Sequence, residues 1–449
     1  MKIPDLRTSS STSVSAIVVG GGDVIVKIVS LAVTIILMRI FTPSDYGILT
    51  TLLTFIMVLP LFMDLGTTPS MIRFGPFLEA KGLVKQRDEL FKTSLALRII
   101  VGLLMFGAVF PFRKMISSYF LHDSGLSMLV TLMLLATLST SFTQFIAAIF
   151  QSRERFLKMS VTKFVEALLK LVSIAVLWVL LPSIGLSHVM IIYGLAPLMT
   201  VILFFSEIRK LIRVSFLPVQ KLKQIARISF WYMCSNIFLM IFVNFDILII
   251  AAIGSQQDVG LFGAGYKLAS VLGLIVNALF TVFMPQASRK VTSGDLIKYL
   301  GKISIVCALL AIAAFPFAFS GHFLVSSIAG DAYVTPDKSG ELSNHLHHGV
   351  YPRVAEDVFF LTVCDHSVMI LFIPFMICLF TVNRPILLAL FSALEMILNI
   401  IGDVIFVPLY GPAGAAAVTL TVRMTVGTWG SIYLYRKLKQ NTDFIQQVF

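Results

Sequence analysis

Long apolar runs alternate with short polar breaks along almost the whole chain. Each run has the roughly 20 residues that a helix needs to cross a hydrocarbon core. Twelve are read, over 15–38, 47–65, 93–112, 127–150, 160–181, 187–205, 229–253, 259–284, 301–319, 359–380, 386–408 and 413–434. No break between them is long enough for a soluble domain.

One break organises the rest. Arg39-Ile40-Phe41-Thr42-Pro43-Ser44-Asp45-Tyr46-Gly47 closes the first run and opens the second. Ser255-Gln256-Gln257-Asp258-Val259-Gly260 does the same between the seventh and eighth, with Asp258 and Gly260 lying 213 residues after Asp45 and Gly47. Pro182 and Gly185 follow the fifth run, and Pro408 and Gly411 follow the eleventh, 226 residues later. Six runs per repeat is an even number, so the halves are expected in one orientation, related by an axis along the membrane normal. The 13-residue difference in offset places an insertion in the second half, at Gly330 to Asp357, since repeats tolerate insertions in loops.

Composition agrees with the pattern. Hydrophobic residues make up 57% of the 449 and charged residues 13%, against about 25% charged in soluble domains. The mean hydropathy is +0.93. The net charge of +12 does not indicate nucleic acid, because the Lys and Arg residues sit in the breaks and form no basic domain. With the N-terminus inside, 24 of them fall in inside segments and five in outside ones. That bias predicts both termini in the cytoplasm. The first run lacks a small-residue cleavage pattern and holds Asp23 and Lys27, so it is read as a transmembrane helix and not a signal peptide. The predicted fold is an all-α integral membrane protein of about twelve transmembrane helices in two parallel six-helix bundles. Its parts are a tail (1–14), a bundle (15–205), a linker (206–228), a second bundle (229–434, with an outer loop at 320–358) and a tail (435–449).

Charges inside the runs carry the functional reading. Such residues are costly in lipid and face a bundle interior or a wet cavity. Asp23 and Lys27 are four apart, share a helix face and are expected to pair. Lys163, Glu166 and Lys170 form a single stripe, although Lys163, near a span end, could equally snorkel to the surface. Asp246, Lys267, Glu395, Asp403 and Arg423 lie in later runs, and Asp64 and Arg98 near the ends of theirs. Lys27, Arg39, Lys163, Lys170, Lys267 and Arg423 are candidates for contact with phosphate, diphosphate or acidic sugars, because such pairs are strong where water is scarce. Asp23, Asp64, Glu166, Asp246, Glu395 and Asp403 are candidates for ion coupling or charge balancing. Gly20-Gly21-Gly22, Pro197, Pro316 and Pro374 are candidate bends.

Other chemistry finds little support. No phosphate-binding loop is present; the nearest miss has Tyr266 after Gly265 where a Lys is required. His345, His347 and His348 lie in a polar loop without nearby Cys, so no metal is expected there. Cys234, Cys307, Cys364 and Cys378 read as buried free thiols.

In sum, Arg39-x-x-x-Pro43-x-Asp45-Tyr46-Gly47 with Asp64-Leu65-Gly66 resembles the opening of the polysaccharide transporter or oligosaccharide flippase (Wzx-type) family. Asp246, Asp258-Val259-Gly260, Ala264, Lys267 and Met284-Pro285 resemble its middle, and Asn399, Pro408, Gly411 and Gly414-Ala415-Ala416 its end. The resemblance covers about 15–330 and 370–435. It departs at 331–366, where a hydrophilic stretch follows Gly330-Asp331-Ala332-Tyr333, and where Asp365 and His366 interrupt the tenth run.

The resemblance implies membership of the MOP exporter superfamily, with two six-helix bundles around a central cavity. It implies alternating-access flipping of undecaprenyl-diphosphate-linked oligosaccharide across a bacterial inner membrane, without catalysis. The implied partners are that lipid-linked oligosaccharide, membrane lipids, and a polysaccharide polymerase with its chain-length machinery. No cofactor is implied beyond coupling to Na+ or H+. A cation-coupled multidrug or small-molecule exporter and a membrane glycan polymerase stay open as alternatives.

Overall fold

Two breaks that read as polar turns become the same device in three dimensions. In the computed structural model α1 (Ser9–Ile40) is followed at once by α2 (Pro43–Asp64). Thr42 Oγ1 accepts the Asp45 amide at 3.2 Å and donates to Asp45 Oδ2 at 2.8 Å. α10 (Val219–Ile253) is followed as closely by α11 (Gln256–Ala269). There Ser255 Oγ accepts the Asp258 amide at 3.1 Å, while Asp258 Oδ2 accepts the Ser255 amide at 3.0 Å. Both are Ser/Thr-x-x-Asp caps that satisfy amides a helix start leaves orphaned. Ser255→Ala is expected to cost about 1 kcal/mol, read as a lower unfolding temperature of the purified protein; an unchanged temperature would show that the cap carries no weight.

The structure describes residues 9–212, 214–288, 293–334, 355–381 and 385–440, and among these all regular structure is helical. The first half continues through α3 (Thr67–Ala80), α4 (Val84–Val109), α5 (Arg113–Phe120), α6 (Ser127–Ser152), α7 (Phe156–Leu180), α8 (Leu186–Leu203) and α9 (Phe205–Ile212). The second continues through α12 (Gly273–Ser288), α13 (Ser293–Ala314), α14 (Gly321–Ile328), α15 (Ala355–Leu371), α16 (Ile373–Thr381) and α17 (Pro385–Gln440). Eight helical stretches among the described residues are long and apolar enough to cross a membrane, and α15 with α16 makes a ninth, bent by 48°. Pro374, in the first turn after that bend, cannot donate to the preceding turn. α17 is interrupted at Gly411 (φ 61°, ψ −144°), so the eleventh and twelfth runs lie either side of a corner. Of the expected insertion at 330–357, residues 335–354 lie outside the described residues, and with them His345, His347, His348 and Arg353.

Packing ties the halves together at the end that carries the two caps, called here the hinge end. An apolar cluster joins Leu49 and Leu52 of α2 to Leu261 and Leu268 of α11 and to Phe359 of α15. At its edge α2 and α11 meet backbone to backbone. A Cβ on Gly47 would stand 1.8 Å from the Gln256 carbonyl oxygen, and one on Gly260 would stand 1.8 Å from the Pro43 carbonyl oxygen. Only glycine permits this approach. Gln256 Nε2 donates to the Phe120 carbonyl at 2.6 Å, and the Tyr46 and Tyr333 rings meet edge to face at 6.1 Å. Leu103, Leu104, Val179, Ile305, Leu309 and Ile312 point outward, where hydrocarbon would cover them.

The opposite end, where the linker runs, is polar. Arg153 pairs with Glu207 of α9 at 2.5 Å and with Asp88 at 3.3 Å, and Arg87 pairs with Asp88 and Glu79, each at 2.8 Å. Burial pushes the Glu207 carboxyl up, but Lys210 and Arg153 outweigh it and hold the group below the usual range. Lys92 Nζ donates to the Val214 carbonyl at 2.5 Å, the Leu217 amide donates to Thr93 Oγ1 at 2.9 Å, and Ser215 Oγ donates to Glu89 at 2.6 Å. The linker up to Leu217 is therefore fastened to the first half.

Candidate functional site

The charges inside the helices sort into groups, and the grouping differs from what spacing along the chain suggests. Asp23 does not find Lys27, its neighbour one turn on. It accepts from Lys163 Nζ of α7 at 2.9 Å, because α7 packs along α1 and offers a cation at the right height. Lys170 donates to Glu166 at 2.6 Å, four residues earlier on the same helix, and sits 4.8 Å from the centre of the Tyr193 ring. Both N-half pairs are thus neutral overall. The Asp23 and Lys163 side chains are still 45% and 40% exposed, which within a spanning helix means that they face water or polar headgroups and not hydrocarbon.

Two other candidates are anchored away from these groups. Asp64 ends α2 and accepts from Thr67 Oγ1 at 3.0 Å, from the Thr68 amide at 3.0 Å and from the buried Arg98 guanidinium. Arg98 also donates to the Ser141 carbonyl at 2.6 Å. Arg39 donates from Nε to the Ile328 carbonyl at 2.6 Å, and its guanidinium also reaches the Ser327 carbonyl. It caps the C-terminus of α14, where carbonyls attract a cation.

The second half holds a ladder of polar groups on α17. Glu395, Asn399 and Asp403 recur every four residues and so share one face, with Thr419 and Arg423 on the stretch beyond the corner. Thr419 Oγ1 donates to Asp246 Oδ2 of α10 at 2.7 Å, and Asn399 Nδ2 donates to Thr419 Oγ1 at 3.0 Å. Asp403 is fully buried beside Asp246, and among the described residues neither of its carboxylate oxygens finds a donor. Asp246 Oδ1 and Asn399 Oδ1 are likewise without a donor. Buried acceptors left in this way are costly. Two adjacent carboxylates are reconciled by a shared proton or by a cation between them.

Next to the ladder, Arg423 donates from Nε to Asp365 Oδ1 at 2.6 Å and lies 5.1 Å from the centre of the Phe242 ring. Glu395 faces the same guanidinium at longer range. Arg423 is therefore committed to a carboxylate on α15. Asp365 was legible in the sequence only as an interruption of the tenth run, and nothing along the chain between the two signals their pairing.

Lys27 and Lys267 remain. They come from opposite halves, α1 and α11, and lie near enough for their charges to repel. Among the described residues neither has a carboxylate within ion-pair distance. His366 lies beside Lys27, buried on α15. Among the described residues no three His, Cys, Asp or Glu side chains gather as a metal-ligand set.

Comparison with known proteins gives this arrangement a context. The family model described as "Polysaccharide biosynthesis protein" matches residues 14–291. No curated protein matches by sequence. Similar solved structures include the lipid II flippase MurJ in an inward closed conformation, with a TM-score of 0.72 and 12% identity over 96% of this chain and 88% of that one. A multidrug resistance MATE transporter of the MOP superfamily, in its inward-facing conformation, gives 0.68 and 15% over 93% and 96%. A MOP superfamily transporter from Pyrococcus furiosus, noted for the reverse polarity of its binding pocket, gives 0.65 and 13% over 98% and 100%. At such identities the likeness is one of fold.

Proposed function

The chain belongs to the polysaccharide biosynthesis protein family and has the fold of the MOP exporters, and from that premise we propose that it flips undecaprenyl-diphosphate-linked oligosaccharide across a bacterial inner membrane. It is a multi-pass membrane protein of transporter fold, and no chemical step on the cargo is required of it. The observation that carries the reading is the pair Lys27 and Lys267, two lysines on facing halves for which no carboxylate among the described residues lies within ion-pair distance. A diphosphate held between them would offset their repulsion, since charge-assisted hydrogen bonds are strong where water is scarce. A cationic drug would be repelled from the same place, which disfavours the multidrug alternative.

In this reading the halves, 15–205 and 229–434, are six-helix units that rock about the cargo, joined by the 206–228 linker, with the tails 1–14 and 435–449 in the cytoplasm. The hinge end is the outer end. Its backbone contact supports a state closed to the outside. Lys163 and Lys170, already neutralised, line the route of the sugar, and Arg39 marks its exit. Asp246, Asn399, Asp403 and Thr419 supply the oxygen atoms that a coupling Na+ or H+ requires, and their undonated oxygens fit either ion. Asp23, Asp64, Glu166 and Glu395 balance neighbouring cations. A polymerase and chain-length machinery would take the delivered units.

The direct test is reconstitution with a fluorescent undecaprenyl-diphosphate oligosaccharide and a quencher that reaches the outer leaflet alone. The protein is expected to speed exchange between leaflets. Lys27→Ala should slow it about tenfold, the loss of one charge-assisted contact. Lengthened glycans would point to a polymerase, and unchanged exchange in Lys27→Ala would remove that residue from the path.

A further inference from the structure

Most of the candidate anion contacts are already taken. Lys163 Nζ donates to Asp23 at 2.9 Å, Lys170 Nζ to Glu166 at 2.6 Å and Arg423 Nε to Asp365 at 2.6 Å. Arg39 is held by the carbonyls that end α14. Among the described residues this leaves Lys27 and Lys267, and a diphosphate diester carries one charge for each. With the headgroup seated there, none of these candidates is free for a charge elsewhere on the cargo.

The wall beyond the two lysines is balanced along its length. Lys163, Glu166 and Lys170 lie three and four residues apart and so share one face of α7. Asp23 of α1 completes the row, which sets each cation against an anion within hydrogen-bond distance. The Asp23 and Lys163 side chains are half-exposed, so cargo can reach them. In the second half Arg423 faces Glu395 as well as Asp365.

Such a wall suits hydroxyl groups. A sugar hydroxyl donates to the carboxylate and accepts from the ammonium without parting the two. A uronate has no such fit. At Lys163 it would lie against Asp23, at Lys170 against Glu166 and at Arg423 against two carboxylates, and like charges sharing a site repel. If it took the cation for itself, it would strand the displaced carboxylate where water is scarce.

We infer that the oligosaccharide moved by this protein is uncharged, with the only anion of the cargo in its diphosphate. This narrows the flippase reading proposed above and rests on it. The ion pairs of the wall act as a filter. Their carboxylates, Asp23 and Glu166 foremost, exclude acidic sugars by holding the lysines that would otherwise attract them.

The test compares two fluorescent undecaprenyl-diphosphate disaccharides in the reconstituted exchange assay, with the full-length protein in phosphatidylcholine vesicles. They differ only at C6 of the terminal sugar, a hydroxymethyl group in the glucosyl form and a carboxylate in the glucuronosyl form. The wild type should exchange the glucosyl form at least about tenfold faster, the scale of one charge-assisted contact. Asp23→Asn keeps the shape of the side chain and leaves Lys163 without its carboxylate, so the ratio of the two rates should fall by about tenfold. Glu166→Gln should move the ratio the same way through Lys170. Loss of stability slows both substrates alike and leaves the ratio where it was, so the ratio separates a filter from a structural pair.

Equal rates in the wild type, or faster exchange of the glucuronosyl form, would overturn the neutral cargo and leave the flippase reading standing. A ratio unchanged in both variants would overturn the filter. Exchange of neither substrate would sink the flippase reading, and the neutral cargo with it.

Discussion

Alanine at Gly47 or at Gly260 is expected to abolish transport while the protein still reaches the membrane. The new Cβ would lie 1.8 Å from a backbone carbonyl oxygen of the other half, Gln256 in one case and Pro43 in the other. A side-chain tip can swing away from such a clash, but a carbonyl fixed in the first turn of a capped helix cannot. The halves must separate at the hinge end, so the closed state loses its seal. Moving a two-state protein from 99:1 to 1:99 takes about 5.5 kcal/mol, which a contact this far inside van der Waals distance readily supplies. The transporter would then stay open at that end. A cysteine at Leu49, buried at the seam, in a background without the native cysteines, would report this as faster labelling by an impermeant maleimide. Both substitutions act on one interface, so the double variant should be no worse than either alone. Wild-type exchange in Gly47→Ala would show that the contact plays no part in the cycle.

If the acidic ladder couples transport to an ion, as proposed above, Asp403→Asn is expected to abolish that coupling. Asp403 and Asp246 lie side by side, and each has at least one oxygen with no donor. An asparagine amide donates to Asp246 directly and leaves no place for a shared proton or cation. In the wild type, Na+ at 100 times its Kd should stabilise the fold by roughly 2.7 kcal/mol, seen as a rise in unfolding temperature; if the ion is a proton, acid alone should produce the rise. Asp403→Asn should show neither response, and its transport should no longer follow the ion gradient. Equal responses in wild type and variant would remove the ladder from coupling.

Much of this was legible in the sequence where the signal is local. Thr42-x-x-Asp45 and Ser255-x-x-Asp258 announce helix starts, because a cap needs only residues three apart. The apolar runs locate the helices for the same reason. Partners across helices were not legible. Spacing suggested Asp23 with Lys27, but a side chain of a packed helix can reach its neighbour as well as its own next turn, and Lys163 takes Asp23. Asp365 with Arg423, and Asp246 with Thr419, depend on which helices lie side by side. Gly47 and Gly260 read as turn residues. Their close approach to a facing backbone exists only once the halves meet.

That meeting has a symmetric form. Pro43 and Gln256 stand 213 residues apart, as Gly47 and Gly260 do, so each glycine rests on the counterpart of the residue that its own counterpart rests on. Identical subunits touch in this self-complementary way across a two-fold axis. The seam therefore has the geometry of a homodimer interface carried within one chain. Asp246 and Asp403 fall opposite Val33 and Leu177 at the two offsets, so the acidic ladder has no counterpart at those positions of the first half. The glycine contact is shared instead, and a change at either Gly47 or Gly260 is felt at the same seam.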